Sequence, residues 1–413
     1  MRRGLPGLAC LVFTAATLAA QEPDSTQPGP PRRIRGRIDS LPVQGGVYNR
    51  PFLASVGRTA IGGYLEGNTN YFREDGISEG FSTELRRFNV FLFSSIGARI
   101  RFISELEFEH GTEEIKLETA LLDFQVNPSF VLRGGILLPP IGAFNVNHDS
   151  PRWDVVDRPL VSTEIIPATL SEVGFGVHGR LFPRAFTITY DVYLTNGLGA
   201  GIVLNEHGRT RLASGRDGGL VAEDNNGRPN LSGRIGLRRN ARGAIGGGEL
   251  GLSYYGGPYN TYRSEGVQID ERRDVHLAAV DLTTTVGPVD LRGEMAFAWI
   301  DVPPDLREVF GERQWGFHLD AVIPLARPRI RALTAAVVNG VLRLERVDYN
   351  RGTFSSTGAS IGDEVSAVVV GVSFHPAAGT VLKSNYRREW IRDLQGNAAV
   401  HRAGFQFGLA TYF

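Results

Sequence analysis

From about residue 56 to the last residue, apolar side chains recur at every second position, in strings of ten residues or more. No stretch keeps the i, i+3, i+4 spacing long enough to make a helix. In ARIRFISELEFEHG, residues Ile100, Phe102, Leu106 and Phe108 fall on one face, with Ser104 between them, while Arg99, Arg101, Glu105, Glu107 and Glu109 fall on the other. VDLRGEMAFAWI sets Val289, Leu291, Met295, Phe297 and Trp299 against Asp290, Arg292 and Glu294. TVLKSNYRREW sets Leu382, Tyr386 and Trp390 against Lys383, Asn385, Arg387 and Glu389. Period two sends successive side chains to opposite faces of a strand. Ordinary globular strands run to about five or six residues, whereas about ten tilted residues cross a hydrocarbon core. A soluble sandwich also alternates, so the connections must decide between the two.

Sixteen strands can be placed, at about 56–72, 81–94, 98–109, 115–126, 130–137, 172–182, 185–195, 231–239, 248–256, 274–285, 289–300, 314–323, 332–348, 364–375, 380–390 and 402–413. Every second connection is short: SSIG (94–97), NPS (127–129), FPR (182–184), NARGAIGG (240–247), VGP (286–288), PLARPRIR (324–331) and PAAG (376–379). The intervening ones are mostly long and polar, notably 138–171, 196–230, 257–273 and 349–363. Short turns at one rim and long loops at the other are the layout of an outer-membrane barrel, and a sandwich has no reason to segregate its loops. The expected fold is an all-β transmembrane antiparallel up-and-down β-barrel of about 16 strands (range about 14–18), wide enough for an aqueous channel. Its short turns would face the periplasm and its long loops the outside.

The ends of the chain fit that expectation. MRRGLPGLACLVFTAATLAA has two arginines, an apolar run and small residues at Ala19 and Ala20, the layout of a secretory signal peptide over 1–20. Residues 21–55 are Pro-rich and charged, a flexible periplasmic segment, and 56–413 form the barrel. The sole cysteine, Cys10, lies in the leader, so the mature chain has no disulfide, thiolate metal site or cysteine nucleophile. At the other end, HRAGFQFGLATYF puts Phe405, Phe407, Leu409, Thr411 and Phe413 on one face of a last strand. Pairing of that strand with the first would close the barrel and leave no edge in lipid. Phe413 and Tyr412 would sit near the periplasmic interface, where aromatics gather.

The stretch GFQFGLATYF resembles the C-terminal assembly signal of bacterial outer-membrane barrels, carried here by Phe405, Phe407, Leu409 and Phe413. The resemblance implies recognition by the barrel-assembly machinery of a Gram-negative outer membrane. More specifically, FVLRGGILLPPIGAFN (130–145), VLRLERVDYN (341–350) and VSFHPAAGTVLKSNYRRE (372–389) resemble the phosphate-selective porin (O/P-type) family, over roughly 60–413. That implies passive diffusion of small hydrophilic solutes, including anions such as phosphate. The family's anion selectivity is associated with pore lysines, and this chain has only Lys116 and Lys383. Arginine can hold phosphate in their place with a bidentate fork.

The lumen wall implied by the alternation is of mixed sign. Arg99, Arg101, Arg133, Arg234, Arg292, Lys383 and Arg387 are basic; Glu105, Glu107, Asp123, Asp191, Asp290, Glu294, Asp320 and Glu345 are acidic. Selectivity would be set by LPPIGAFNVNHDSPRWDVVDRPLVSTEIIPATLS (138–171), the third long connection, which in porins of this shape folds inward. Its prolines restrict the backbone, and His148, Asp149, Arg152, Asp154, Asp157 and Arg158 would supply charge at the narrowest point.

Other chemistries lack support. His148, Asp149 and Ser150 are three triad residue types in a row, but triads are defined by spatial convergence, and no G-x-S-x-G elbow is present; an enzyme is not expected. The histidines show no H-x-x-x-H spacing, so no metal and no cofactor are expected. With 44 basic and 44 acidic residues, the chain lacks the basic excess of a nucleic-acid binder. Expected partners are outer-membrane lipid and lipopolysaccharide, the assembly machinery, small polar solutes and, as is common for porins of this size, two further copies in a homotrimer. Two other classes stay open. One is a hydrophobic-solute transporter, whose luminal hatch would be GGVYNRPFLASVG (45–57); the other is a structural or adhesin barrel with a closed lumen. A TonB-coupled receptor needs a far larger N-terminal plug.

Overall fold

The computed structural model describes residues 54–413, apart from 57, 112, 184–185, 217, 240–244 and 332. The expected leader, all but the last two residues of the segment 21–55, and most of the hatch at 45–57 lie outside the described residues.

Sixteen antiparallel strands follow one another around a single sheet: β1 (Thr59–Glu74), β2 (Ile77–Ser95), β3 (Ile100–Glu109), β4 (Glu114–Asn127), β5 (Phe130–Leu137), β6 (Glu172–Leu181), β7 (Phe186–Thr195), β8 (Asn230–Arg239), β9 (Ile245–Pro258), β10 (Asp274–Val286), β11 (Val289–Ile300), β12 (Arg313–Ala326), β13 (Val337–Asp348), β14 (Glu364–Ala377), β15 (Thr380–Arg392) and β16 (Val400–Tyr412). β16 pairs with β1 from Arg402↔Glu74 to Tyr412↔Tyr64, so the sheet closes on itself. A three-residue strand, Ala54–Val56, pairs with the start of β1, and Arg263–Ser264 pairs with Val267–Gln268 in the loop after β9.

The two faces separate as alternation requires. Phe405, Phe407 and Leu409 of β16 point outward and are 53%, 48% and 42% exposed, while Gln406 points inward and is fully covered. The same outward apolar series continues through Leu382 and Tyr386, Met295 and Trp299, and Leu342 and Leu344. Such a belt is tolerable only against hydrocarbon.

Three strand bounds differ from the sequence reading. β2 starts at Ile77 rather than near 81, because Asp75 and Gly76 (φ 45° and 89°) form a two-residue hairpin turn of the kind that needs two positive φ angles. β13 starts at Val337 rather than 332. β12 runs on through Pro324, where the register shifts, as a residue without an N–H requires. Tyr412 does not belong to an interfacial belt. Its ring points inward, 6.2 Å from that of Tyr64.

The seam explains the chain end. Phe413 exchanges two backbone hydrogen bonds with Gly63 (3.1 and 3.0 Å), and its ring stacks on Phe88 at 5.4 Å and 10°. Gly63 has no room for a side chain: a Cβ would lie 2.5 Å from the Phe413 ring and 2.1 Å from the Asn89 carbonyl oxygen. Gly63→Val is therefore expected to lower the yield of closed, heat-modifiable barrel several-fold, as is deletion of Phe413, whereas Phe413→Tyr keeps it. Comparing folded fractions on unheated and heated gels checks this.

Candidate functional site: a loop folded into the barrel

The segment 138–171 crosses the interior. Its partners lie on inward-facing positions of eight strands spread around the wall, an arrangement open only to a segment inside. Gly142 N–H donates to Ser253 Oγ of β9 (2.9 Å). The Ala143 and Phe144 amides and the Ser162 hydroxyl donate to Glu294 of β11 (2.7, 3.1 and 2.8 Å). Leu160 N–H donates to Glu345 of β13 (2.8 Å). Lys383 of β15 donates to the Ser150 and Val155 carbonyls (3.0 and 3.1 Å), and Ser171 Oγ donates to the Glu118 carbonyl of β4 (2.7 Å). Pro151 seeds a single 3₁₀ turn at Ser150–Arg152, and Val161–Ile165 make one π turn; otherwise the loop is irregular. Its backbone polar groups therefore need wall partners, which the charged inner faces supply.

Towards the long-loop rim the interior is apolar. Ile141, Val161, Ile165 and Leu170 of this loop pack with Leu198, Ile202 and Leu212 of the next long connection. Both lean on Leu277, Ala296, Ala298 and Ile300 of the wall. At the opposite rim a recess of about 230 Å³ is lined by Arg101, Asp123, Gln125, His178 and Arg180, among others.

Each loop charge expected at the constriction has a defined place. His148 is fully buried; its Nδ1 meets the Asn145 carbonyl at 2.9 Å and its Nε2 lies 3.1 Å from Glu118. The Asp149 carboxylate accepts from the Tyr412 hydroxyl (2.7 Å), and the Tyr412 hydroxyl oxygen in turn accepts from Arg152 Nε (2.7 Å). Asp154 accepts from Ser373 (2.5 Å), His375 (2.9 Å) and Asn339 (3.3 Å). Asp157 accepts from Arg86 (2.9 Å) and Gln406 (2.6 Å). Arg158 donates to Thr169 (3.1 Å) and stands 6.0 Å from the Phe144 ring centre, with no carboxylate in ion-pair range among the described residues. The three acidic loop residues thus face wall partners, and Arg158 alone of the six meets neither a carboxylate nor the wall.

Of the expected wall residues, Glu105, Glu107, Glu294, Lys383 and Arg387 are buried on the inner face. Arg387 bridges Glu345 (2.6 Å) and Glu389 (2.7 Å). Arg133 holds Asp123 with two bonds (2.8 and 3.0 Å). Arg292 donates to the Arg152 carbonyl (3.0 Å) and lies 5.0 Å from the Trp153 ring centre. Arg101 lines the recess, whereas Arg99 falls in the turn before β3, exposed and off the wall. Arg234 with Asp281 (2.6 Å) and Arg343 with Asp320 (2.6 Å) complete a wall cross-linked by opposite charges.

Sequence reasoning passed over Arg86, Glu118, Ser373, His375, Gln406 and Tyr412, all of which touch the loop. Two of them sit at β-bulges. The β1–β2 register slips between Glu66 and Gly67, leaving Arg86 without a cross-strand partner. The β3–β4 register slips between Glu105 and Leu106, leaving Glu118 likewise. A bulge turns consecutive side chains to the same face, so Arg86 joins Arg87, and Glu118 joins Thr119, on the inside.

No family model matches the chain. A protein of Aquifex aeolicus (strain VF5), described as uncharacterized, is 28% identical over 363 residues, 82% of this chain and 77% of that one. Among solved structures, the chain is similar to OmpF of Salmonella typhi in complex with daunomycin (TM-score 0.50, 7% identity, 86% of this chain and 98% of that chain). It is similar also to OprB of Pseudomonas putida (TM-score 0.50, 8% identity, 86% and 94%). A loop-deletion mutant of OmpT, an outer membrane protein of Vibrio cholerae, aligns as well (TM-score 0.50, 10% identity, 86% and 100%). The shared property is the fold, a closed antiparallel barrel.

Proposed function

We propose that this chain is a passive outer-membrane channel of the porin type, through which small hydrophilic solutes diffuse past the loop 138–171. It would be exported by its leader to the outer membrane of a Gram-negative cell. The observation that carries the reading is the combination of an outward apolar belt with an inward wall of paired charges, seen in the inward series Lys383, Asn385, Arg387 and Glu389 of β15. A soluble barrel has no use for the first, and a lipid-filled one none for the second. Passive diffusion requires no cofactor, energy input or catalytic group. Partners follow from the setting: lipid and lipopolysaccharide around the belt, the assembly machinery at the C-terminal strand, and two further copies in a trimer.

Anion preference, and with it the phosphate-selective porin resemblance, rests on Arg152 and Arg158. Among the described residues the Arg158 guanidinium has no carboxylate in ion-pair range, so it would bias the passage towards anions. Single-channel recording in a planar bilayer under a salt gradient tests both levels. Large ohmic steps establish an open aqueous pore, and the sign of the reversal potential reports its selectivity. Arg152→Ala with Arg158→Ala is expected to raise conductance and reduce anion preference; unchanged values would remove this pair from the permeation path.

The apolar core between the two long connections favours a second reading, a barrel closed in its outer half that passes hydrophobic solutes or serves structurally. Folded protein that stays silent in the bilayer would select it.

A further inference from the structure

We propose that Glu105, Glu118 and His148 form a binding site for a divalent transition-metal cation that fastens the inner loop to the barrel wall. A carboxylate oxygen from each glutamate and an imidazole nitrogen lie within 4.8 Å of one another. All three side chains are shut away from water, with exposures of 0%, 3% and 0%. The β-bulge in β4 is what turns Glu118 inward to stand beside Glu105.

The hydrogen-bond pattern points to a cation. His148 Nδ1 lies 2.9 Å from the Asn145 carbonyl oxygen. A carbonyl only accepts, so Nδ1 carries a proton, and in the neutral ring Nε2 presents a lone pair. That lone pair faces Glu118 Oε1 at 3.1 Å. Neither Glu118 oxygen nor His148 Nε2 has a well-aligned hydrogen bond, although the two groups stand within ion-pair range of each other. Acceptors thus converge in a dry place, which burial makes expensive unless a positive charge, a proton on His148 Nε2 or a cation in its stead, sits there. Two ligands about 2.1 Å from one metal stand about 3.0–3.4 Å apart, the spacing of the closest pair here.

The surroundings resemble those of a built site. A ligating histidine typically donates its other N–H to a backbone carbonyl, as His148 does, and ligating carboxylates are themselves held. Asn89, fully buried, donates to Glu105 at 2.7 Å and to Glu107 at 3.3 Å. Two carboxylates and a neutral imidazole balance a divalent charge, and a nitrogen ligand among oxygens suits zinc, iron or cobalt better than calcium or magnesium. Because Glu105 and Glu118 belong to the wall and His148 to the loop, the metal would tie one to the other. The site stands whether or not the barrel conducts.

The test uses the folded full-length barrel in detergent, stripped with EDTA and titrated with Zn²⁺, with metal content read by mass spectrometry. One Zn²⁺ per chain is expected, with Glu118→Gln and His148→Gln each weakening binding by roughly a hundredfold or more, while His207→Ala on an exposed loop leaves it unchanged. Wild-type protein that shows no saturable uptake overturns the site, as does stoichiometric uptake that survives both substitutions. Where a variant fails to give a heat-modifiable barrel, wild-type protein loaded with Co²⁺ decides. A visible spectrum of nitrogen–oxygen coordination supports the site, and the spectrum of aqueous Co²⁺ overturns it. Fastening has its own readout: trypsin should cut after Arg152 at least tenfold faster in stripped than in Zn²⁺-loaded protein, and equal rates would remove that role.

Discussion

Glu294→Ala is expected to release the inner loop from the wall while leaving the barrel closed. This carboxylate, buried on β11, accepts three hydrogen bonds from the loop: the Ala143 and Phe144 amides at 2.7 and 3.1 Å and the Ser162 hydroxyl at 2.8 Å. Gly142 is shaped for the contact, with a φ of +63° and a position where any Cβ would lie 2.1 Å from the carboxylate oxygen. Truncation leaves three buried or part-buried donors with no acceptor, at about 1–3 kcal/mol each, so the docked loop loses on the order of 3–9 kcal/mol. The strand pairs of β11 with β10 and β12 are backbone bonds and persist. Heat-modifiability should therefore be unchanged, while trypsin cuts after Arg152 at least tenfold faster and channel recordings become larger and noisier. Glu294→Gln keeps one acceptor oxygen and should show an intermediate effect. Wild-type proteolysis rates in Glu294→Ala would show that the loop is held without this carboxylate.

All sixteen strands were legible in the sequence because a barrel in lipid has opposite solvents on its two faces, and a period-two string records that contrast directly. β5 and β11 match their expected bounds to the residue. Legibility fails where the contrast fails. The inward face of β11 changes from Asp290, Arg292 and Glu294 to Ala296, Ala298 and Ile300, because the two long connections cover its upper half with apolar side chains. No reading of the strand by itself foretells that cover. Arg86 and Glu118 were missed for another reason. Each occupies a bulge, and a bulge shifts the alternation by one residue without leaving a mark in composition. The signs of the wall charges were readable, but their partners were not. Arg234 stands opposite Asp191 in register yet gives its guanidinium to Asp281 of β10 and Glu249 of β9. His148, expected as a charge at the constriction, meets Glu118 only because the loop folds across the lumen to β4.

Acid should undock the same loop, through Asp154 and Asp157. Burial alone would raise the pKa of Asp154; the His375 hydrogen bond and charge, with Arg292 and Ser373, outweigh it and hold it at about 2 against an ordinary 3.8. Burial likewise opposes ionisation of Asp157, and Arg86, Arg387 and the Gln406 hydrogen bond bring it to about 2. A docked-state pKa below the free value means that the ionised form favours docking. That contribution is complete above about pH 4 and disappears as pH falls through about 2. A drop of this size is worth about 2 kcal/mol per group, so about 4–5 kcal/mol of docking is at stake. Channel conductance, or the fluorescence of Trp153, whose ring lies 4.7 Å from that of Phe144 at a tilt of 44°, should stay flat from pH 7 to pH 4 and change steeply between about 4 and 2. Asp154→Asn with Asp157→Asn should abolish the acid step and weaken docking already at neutral pH. A wild-type loop that stays docked down to pH 2, or an acid step that persists in the double variant, would show that these two carboxylates do not hold it.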